Sequence, residues 1–405
     1  MIEPVSLLGI PVDFILFALT LLGVALFQRH TLAVALAGLA AITIYKVVFA
    51  GFTSGAGMTG LALHLRHEWV ILSNLFLLLT GFALLSRHFE KSRLPDAMPG
   101  VLPDDWRGGF VLLVVIFVLS SFLDNIAAAL IGGTMARHVF REKVHIGYLA
   151  AIVAAANAGG AGSVVGDTTT TMMWIAGVSP LSVLEAFIGA TVALVIAGVP
   201  AALLQQRYSP IVKDASRGLR IDWTRIGIVG VILVAAVVAN VGANLQYPAL
   251  LDAVPVIGLS VWAVILVTAL VRRPDWEILP ETIKGAVFLL ALVLCASMMP
   301  VEKLPAASWH TAFGLGFASA VFDNIPLTAL ALKQGGYDWG FLAYAAGFGG
   351  SMIWFGSSAG VALTTLYPEA RSVRLWLRHG WYIAIAYVIG FAVLLAISGW
   401  HPSAR

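Results

Sequence analysis

Long uncharged stretches recur along the whole chain and limit the folds that it can adopt. Many reach the roughly 17–25 residues that a helix needs to cross a hydrocarbon core of about 30 Å. Of the 405 residues 60% are hydrophobic and 11% are charged, against about 25% charged in a typical soluble domain. The sequence therefore predicts an all-α polytopic membrane protein. Its predicted crossings lie near 5–27, 31–50, 69–86, 145–178, 181–204, 226–243, 253–271, 281–299, 339–367 and 378–399.

Two further apolar segments, 108–140 and 308–334, each carry a carboxylate beside an amide at mid-length. The first contains "SSFLDNIAAALIGG", with Asp124 and Asn125, and the second contains "SAVFDNIPLTALAL", with Asp323 and Asn324. Each segment is either one long helix or a re-entrant hairpin, whose two short arms enter and leave by the same side. The distribution of basic residues discriminates between these options, because cytoplasmic loops of membrane proteins are enriched in Lys and Arg.

If both segments are hairpins, the large majority of the 24 Lys and Arg residues fall in loops on one side. The exceptions are Lys46 and Lys284 within spans and, on the other side, Arg66, Lys303, Lys333 and Arg405. The enriched side is therefore predicted to be cytoplasmic, and both termini are predicted to lie outside. The start of the chain agrees, since Met1 to Leu7 has no basic region typical of a signal peptide.

The two halves of the sequence resemble each other. Asp124-Asn125 recurs as Asp323-Asn324, and "NAGGAGSVVGDTT" recurs with matching glycines as "GFGGSMIWFGSSA". We expect two repeats, 1–205 and 226–405, joined by a basic cytoplasmic linker at 206–225. Each has three helices, a hairpin (108–140 or 308–334), a glycine-broken helix (145–178 or 339–367) and a closing helix. Because five crossings per half is an odd number, the second repeat is inverted relative to the first. Inverted repeats with broken helices are the architecture of secondary transporters, whose site lies at the midplane.

Charged groups at membrane depth need partners or water, and helix breaks supply unpaired backbone groups. Together with carboxylate, amide and hydroxyl oxygens, such carbonyls form a site for a hard cation such as Na⁺. A carboxylate can hold Na⁺ or a proton but hardly both, and this competition suffices for antiport. The candidate ligands are Asp124, Asn125, Asp167, Thr168, Thr169, Asp323, Asn324, Ser357 and Ser358. Asp167 also fits the N-cap of the short helix that follows it.

At these residues the sequence resembles the NhaD-type sodium/proton antiporters of the ArsB/NhaD ion-transporter superfamily. The resemblance rests on four stretches, "SSFLDNIAAALI", "AANAGGAGSVVGDTTTTMMWIAG", "SAVFDNIPLTALAL" and "FLAYAAGFGGSMIWFGSSAGVAL". It implies proton-driven export of Na⁺ or Li⁺ across a bacterial inner membrane by a homodimer, with a scaffold and a mobile transport part. It adds Ser351 to the site, with Na⁺ held at Asp124, Asn125, Asp167, Asp323 and Asn324. The proton-carrying candidates are Asp124, Asp167 and Asp323.

The sequence departs from the family pattern at three places. Ala127 to Ala129 stand where the family has threonines, which removes hydroxyl groups after the first Asp-Asn pair. Val164-Val165 stand where the family has a proline, and Ser358 stands where it has an alanine. Fewer oxygens at the first hairpin tip reduce the expected Na⁺ affinity and leave room for a related substrate.

The main alternative is an anion carrier of the same fold, moving citrate, a dicarboxylate or arsenite in a cation- or proton-coupled manner. Helix N-termini could receive such an anion, but three intramembrane aspartates without a nearby Arg make a poor anion site. An intramembrane aspartyl protease needs Gly-x-Gly-Asp, and Asp167 follows Val164, Val165 and Gly166. We therefore expect a transporter and no enzyme, with no cofactor, no zinc site and no nucleic-acid partner.

Overall fold

The computed structural model describes residues 6–7, 10–27, 30–94, 102–211, 220–246 and 253–402. A short antiparallel hairpin, β1 (Ser6–Leu7) with β2 (Ile10–Pro11), precedes a helical body. The first half contains α1 (Val12–Leu26), α2 (Thr31–Tyr45), α3 (Gly57–Lys91), α4 (Trp106–Ser120), α5 (Asn125–Val139), α6 (Ile146–Ala161), α7 (Thr168–Ile175), α8 (Pro180–Leu184) and α9 (Ala186–Tyr208). The second half contains α10 (Trp223–Gln246), α11 (Val256–Thr268), α12 (Leu279–Ser297), α13 (Trp309–Val321), α14 (Asn324–Gln334), α15 (Trp339–Gly349), α16 (Ser358–Leu366), α17 (Val373–Gly380) and α18 (Tyr382–Ser398).

Several helices have the length and apolar composition of membrane crossings. Within the described ranges, Thr31–Ala50, Gly57–Lys91, Pro180–Tyr208 and Trp276–Ser297 meet both criteria. The pair Val373–Gly380 and Tyr382–Ser398 meets them as one span bent by 58°. Apart from the short β-hairpin and one isolated bridge, the described residues form helices and their connections, consistent with the predicted all-α polytopic membrane protein. The other predicted crossings are shorter apolar helices or helices that break in mid-course.

The third helix is longer than the sequence predicts. Hydropathy indicates a crossing at 69–86, whereas α3 runs from Gly57 to Lys91. Its first turns include the polar stretch "HLRHEW", which lowers the local hydropathy without interrupting the backbone hydrogen bonds. The predicted linker at 206–225 overlaps the end of α9 at Tyr208 and the start of α10 at Trp223, and part of the stretch between them lies outside the described residues.

Helix breaks occur at the four segments where the sequence predicts hairpin tips and broken helices. The chain leaves helical conformation between α4 and α5, between α6 and α7, between α13 and α14, and between α15 and α16. Equivalent serine hydroxyls beside the breaks hydrogen-bond to neighbouring helices. Ser120 donates to the Ala156 carbonyl at 2.5 Å, and Ser319 donates to the Ala346 carbonyl at 2.7 Å. These bonds join α4 to α6 and α13 to α15.

The helices form two groups. We call α1–α3 and α10–α12 the frame helices, since they pack mainly on one another. We call α4–α9 and α13–α18 the site helices, which likewise pack together. Contacts between the groups are made where α3 meets α5 and α7, and where α12 meets α14. Within the site helices, α5 packs on α16 and α14 packs on α7, so the two halves of the chain interlock.

Two glycines let the broken helices approach their neighbours closely, and we expect Gly159→Ala and Gly349→Ala to destabilise the protein. A Cβ at position 159 would lie 2.0 Å from the Phe117 carbonyl oxygen, and one at 349 would lie 2.3 Å from that of Gly316. Since backbone must move to relieve either clash, each change should cost about 1–3 kcal/mol or more. Gly227→Ala is the control, because its Cβ would meet nothing within 4 Å. Melting temperatures in detergent that fall equally for all three variants would contradict this prediction.

Candidate functional site

Asp124 and Asp323 cap the second helix at their respective breaks. Asp124 Oδ1 accepts a hydrogen bond from Ile126 N at 2.8 Å, and Asp323 Oδ1 accepts one from Ile325 N at 3.0 Å. Their backbones have nearly the same conformation, with φ and ψ of −52° and 140° at Asp124 and −53° and 139° at Asp323. Each carboxylate therefore stabilises the positive end of a helix and keeps a second oxygen for another partner.

Asp167 is the N-cap of α7, as its residue type predicts, and its second oxygen lacks a partner. Oδ1 accepts from Thr169 N at 3.2 Å. Oδ2 is buried without a hydrogen-bond donor within 3.5 Å, and the Thr169 hydroxyl is likewise buried without a hydrogen-bond partner. A Cβ added at Gly347 would lie 3.4 Å from Oδ2, so this oxygen faces the broken helix of the other half. A buried carboxylate oxygen without a donor is suited to hold a proton or a cation.

Asn157 joins the two halves at the centre of the site. Its Oδ1 accepts from Asn125 Nδ2 at 3.1 Å, and its Nδ2 lies 3.0 Å from the hydroxyls of both Ser351 and Ser357. The side chain is fully buried. Asn157 is not among the predicted site residues, although a lone amide in the small apolar run "IVAAANAGGA" is a signal in the sequence.

The structure gathers the predicted site residues around these breaks. Asp167 lies within electrostatic range of both Asp124 and Asp323. Ser358 donates to Asp323 Oδ2 at 3.2 Å, whereas its family counterpart, an alanine, has no hydroxyl to donate. Asn324 is buried and its Nδ2 has no acceptor. Among the described residues, no three His, Cys, Asp or Glu side chains converge as a metal site, so a bound cation would draw amide, hydroxyl and carbonyl oxygens as well.

A cavity of about 970 Å³ separates frame helices α3 and α12 from site helices α5 and α7. Asp124, Asp167 and Thr168 line it, whereas Asp323 does not. The cavity thus reaches the first Asp-Asn pair and the first helix break but is not lined by Asp323. Polar side chains elsewhere along it are Ser86, Arg87, Glu90, Arg93, Thr134, His138, Thr171, Glu281 and Thr282.

Two of the departures from the family pattern lie at this cavity. Ala127 and Val165 line it, while Ala128 and Ala129 are fully buried in packing. Of the three replaced threonines, the one at position 127 is therefore the one whose hydroxyl would face the cavity. Thr168 offers a hydroxyl there, but Thr171 already donates its own to the carbonyls of Val164 and Asp167.

Comparison with known proteins gives several relatives with one described activity, although no family model matches the chain. Sodium/proton antiporter 1 of Arabidopsis thaliana is 29% identical over 73% of this chain and 56% of its own length. The Na⁺/H⁺ antiporter NhaD of Vibrio parahaemolyticus is 26% identical over 72% of this chain and 79% of its own. The resemblance to NhaD-type antiporters is confirmed. NhaD of Alkalimonas amylolytica is 25% identical over 83% of this chain and 78% of its own.

These relatives narrow the function class. Each is named as an antiporter, and antiporters are transporters rather than enzymes. The alignments extend over most of the chain. The chain spans just over half the length of the Arabidopsis relative, so that protein has regions with no counterpart in this match.

Proposed function

We propose that this protein is a secondary active transporter that exchanges Na⁺ or Li⁺ for H⁺. One observation carries the proposal: a cavity leads to two aspartates at helix breaks, Asp124 and Asp167, and Asp167 is buried with an unbonded carboxylate oxygen. Such an oxygen can bind a cation or a proton, and exchange follows if the two compete. The named activity of the relatives supports the same conclusion.

The proposed fold has two inverted repeats, each with a re-entrant hairpin and a broken helix. Its support is the recurrence of contacts: the capping bonds of Asp124 and Asp323, and the hydroxyl bonds of Ser120 and Ser319. In this proposal α4 with α5 and α13 with α14 are the hairpins. An odd number of crossings per repeat places their open ends on opposite sides of the membrane.

The proposed mechanism is alternating access, with the site helices moving against the frame helices. The cavity lies between the two groups and is lined by Asp124 and Asp167 but not by Asp323, which supports a state in which the two halves differ in access. Movement of the site helices would close this cavity and open one on the opposite side. A carboxylate that released its cation would take up a proton before the return step.

We further propose that the cavity opens to the cytoplasm of a bacterial inner membrane, with both termini in the periplasm. Two arginines that line the cavity, Arg87 and Arg93, support this orientation through the positive-inside rule. The homodimer implied by the resemblance belongs to the same proposal, with the frame helices as the scaffold.

A transport assay tests the proposed activity. The purified protein in liposomes with an imposed pH gradient is given NaCl, LiCl, KCl and then citrate or succinate, and a trapped dye reports the internal pH. We expect Na⁺ or Li⁺ alone to collapse the gradient. A response to an organic anion without any response to cations would overturn the proposal. The relatives give that anion-carrier alternative no support, since all are named as sodium/proton antiporters.

Asn157→Ala is expected to lower both stability and exchange. The change leaves Asn125, Ser351 and Ser357 without a shared partner, and each buried unbonded group costs about 1–3 kcal/mol. The matched control is Asn74→Ala in α3, whose buried Oδ1 accepts from Gly258 N at 2.9 Å among the frame helices. The control should lose stability but retain exchange per folded molecule. Full exchange by Asn157→Ala would show that the junction only packs the halves together.

A further inference from the structure

A second set of buried charges lies away from the cavity. Lys46 Nζ pairs with Asp13 Oδ1 at 2.9 Å, and both side chains are buried. Lys46 begins a π-helical turn, Lys46–Ala50, that continues α2. Irregular turns of this kind and ionisable groups within membrane spans are both frequent at functional positions. Neither residue lines the cavity or contacts the site described above.

Lys333 brings the site helices to this charged pair. It lies in the last turn of α14, and its Nζ donates to the carbonyl of Met299, just after the end of α12. The contact crosses from a site helix to a frame helix at one of the few places where the groups touch. Lys333 also lies within electrostatic range of Lys46, Asp13, Glu302 and Glu68. A cation at the carbonyl end of a helix is favourable.

The position of Lys333 in its helix indicates what it does when the protein changes state. Lys333 follows Asp323 at the same spacing at which Thr134 follows Asp124. Thr134 is exposed and lines the open cavity, whereas the end of α14 is packed on α12. If the repeats exchange conformations, α14 separates from α12 and Lys333 comes to line the opening that forms there.

We propose that Lys333 is a gating residue that holds the side opposite the cavity closed through its bond to the Met299 carbonyl. The inference rests on the proposed function, since a gate requires two alternating states. We call the bond between Lys333 and the Met299 carbonyl the latch, and the Asp13–Lys46 pair regulates it. Lys46 alone would repel Lys333, and the Asp13 carboxylate offsets that repulsion. Removing the Lys333 charge or the Asp13 charge therefore weakens the closed side.

Cysteine accessibility measures the latch without requiring transport. The single cysteine, Cys295, is buried, and Cys295→Ala provides the background. Thr134→Cys reports the open cavity. Ala329→Cys, buried in α14 at the position equivalent to the cavity-lining Leu130, reports the closed side. A membrane-impermeant maleimide is added to each face of oriented vesicles, and the labelling rates are compared.

With Lys333→Met we expect labelling at position 329 to rise and labelling at 134 to fall, each by about tenfold for the loss of one charged hydrogen bond. Asp13→Asn should shift both rates in the same directions. Lys333→Arg keeps the charge and should remain near the background rates. Lys303→Gln, an exposed lysine after α12, should leave both rates unchanged.

Unchanged labelling at both positions in a folded Lys333→Met variant would overturn the latch. An increase at both positions would also overturn it, because general loosening and not a change of state would be the cause. If the protein failed to exchange Na⁺ for H⁺ in the transport assay while the two rates shifted in opposite directions, the latch would stand and the proposed ions would be wrong. The two failures are therefore distinguishable.

Discussion

Asp124→Asn and Asp323→Asn are each expected to abolish exchange while leaving the protein folded. Asparagine is as good an N-cap as aspartate, so the bonds to Ile126 N and Ile325 N survive the change. What disappears is the negative charge that would bind Na⁺ or a proton. A desolvated cation left without the carboxylate that pairs with it costs about 3–5 kcal/mol. This cost corresponds to a loss of at least roughly a hundredfold in cation binding.

Exchange is measured in liposomes, and folding by size-exclusion profile and melting temperature. Asp105→Asn is the matched control, because Asp105 caps α4 in the same way, with Oδ1 2.9 Å from Arg107 N, but lies exposed and away from the cavity. It should exchange at the wild-type rate. Wild-type exchange by both Asp124→Asn and Asp323→Asn would mean that these carboxylates only cap helices. Loss of exchange in only one of the two variants would restrict the ion site to the half of the chain that carries that aspartate.

Asp167→Asn is expected to be at least as damaging, and to remove the pH dependence of any residual exchange. The amide keeps the cap on Thr169 N, whereas the buried Oδ2, which has no donor, is replaced by a group that cannot hold a proton. Because Asp167 lies within electrostatic range of Asp124 and Asp323, its charge also influences how those carboxylates bind cations.

The measurement is the exchange rate as a function of pH at saturating and at low Na⁺. Ser357→Ala is the comparison, since Ser357 caps α16 as Asp167 caps α7 but carries no charge. That variant loses the hydroxyl bonded to Asn157 and should keep the wild-type pH profile at a reduced rate. A wild-type pH profile in Asp167→Asn would leave Asp167 a helix cap and transfer the proton to another carboxylate.

The helical membrane fold and the places of its breaks could be predicted from the sequence. Both features are local, because long apolar runs form helices and glycine with flanking polar residues interrupts them. The predicted cap at Asp167 is local in the same sense, since it depends on the residue type before a helix. The ends of α3 were less predictable, since hydropathy falls at its polar first turns although the helix continues.

The linking role of Asn157 could not be predicted, because its three partners come from segments distant in the sequence. The same holds for Lys46, which could have extended to the membrane surface but instead pairs with Asp13. A side chain with several possible partners is assigned to one of them only by the packing of the helices that carry them.

The sequence by itself determined which segments are helical, where they break and which carboxylates stand at the breaks, since each follows from hydropathy and residue type over a few turns. Only the tertiary structure decided that the helices divide into two groups, and that the cavity between them reaches Asp124 and Asp167 but not Asp323. The physical reason is that access depends on how the two groups pack against each other. The repeated motifs are alike in both halves, and packing alone places one of them at the cavity and the other away from it.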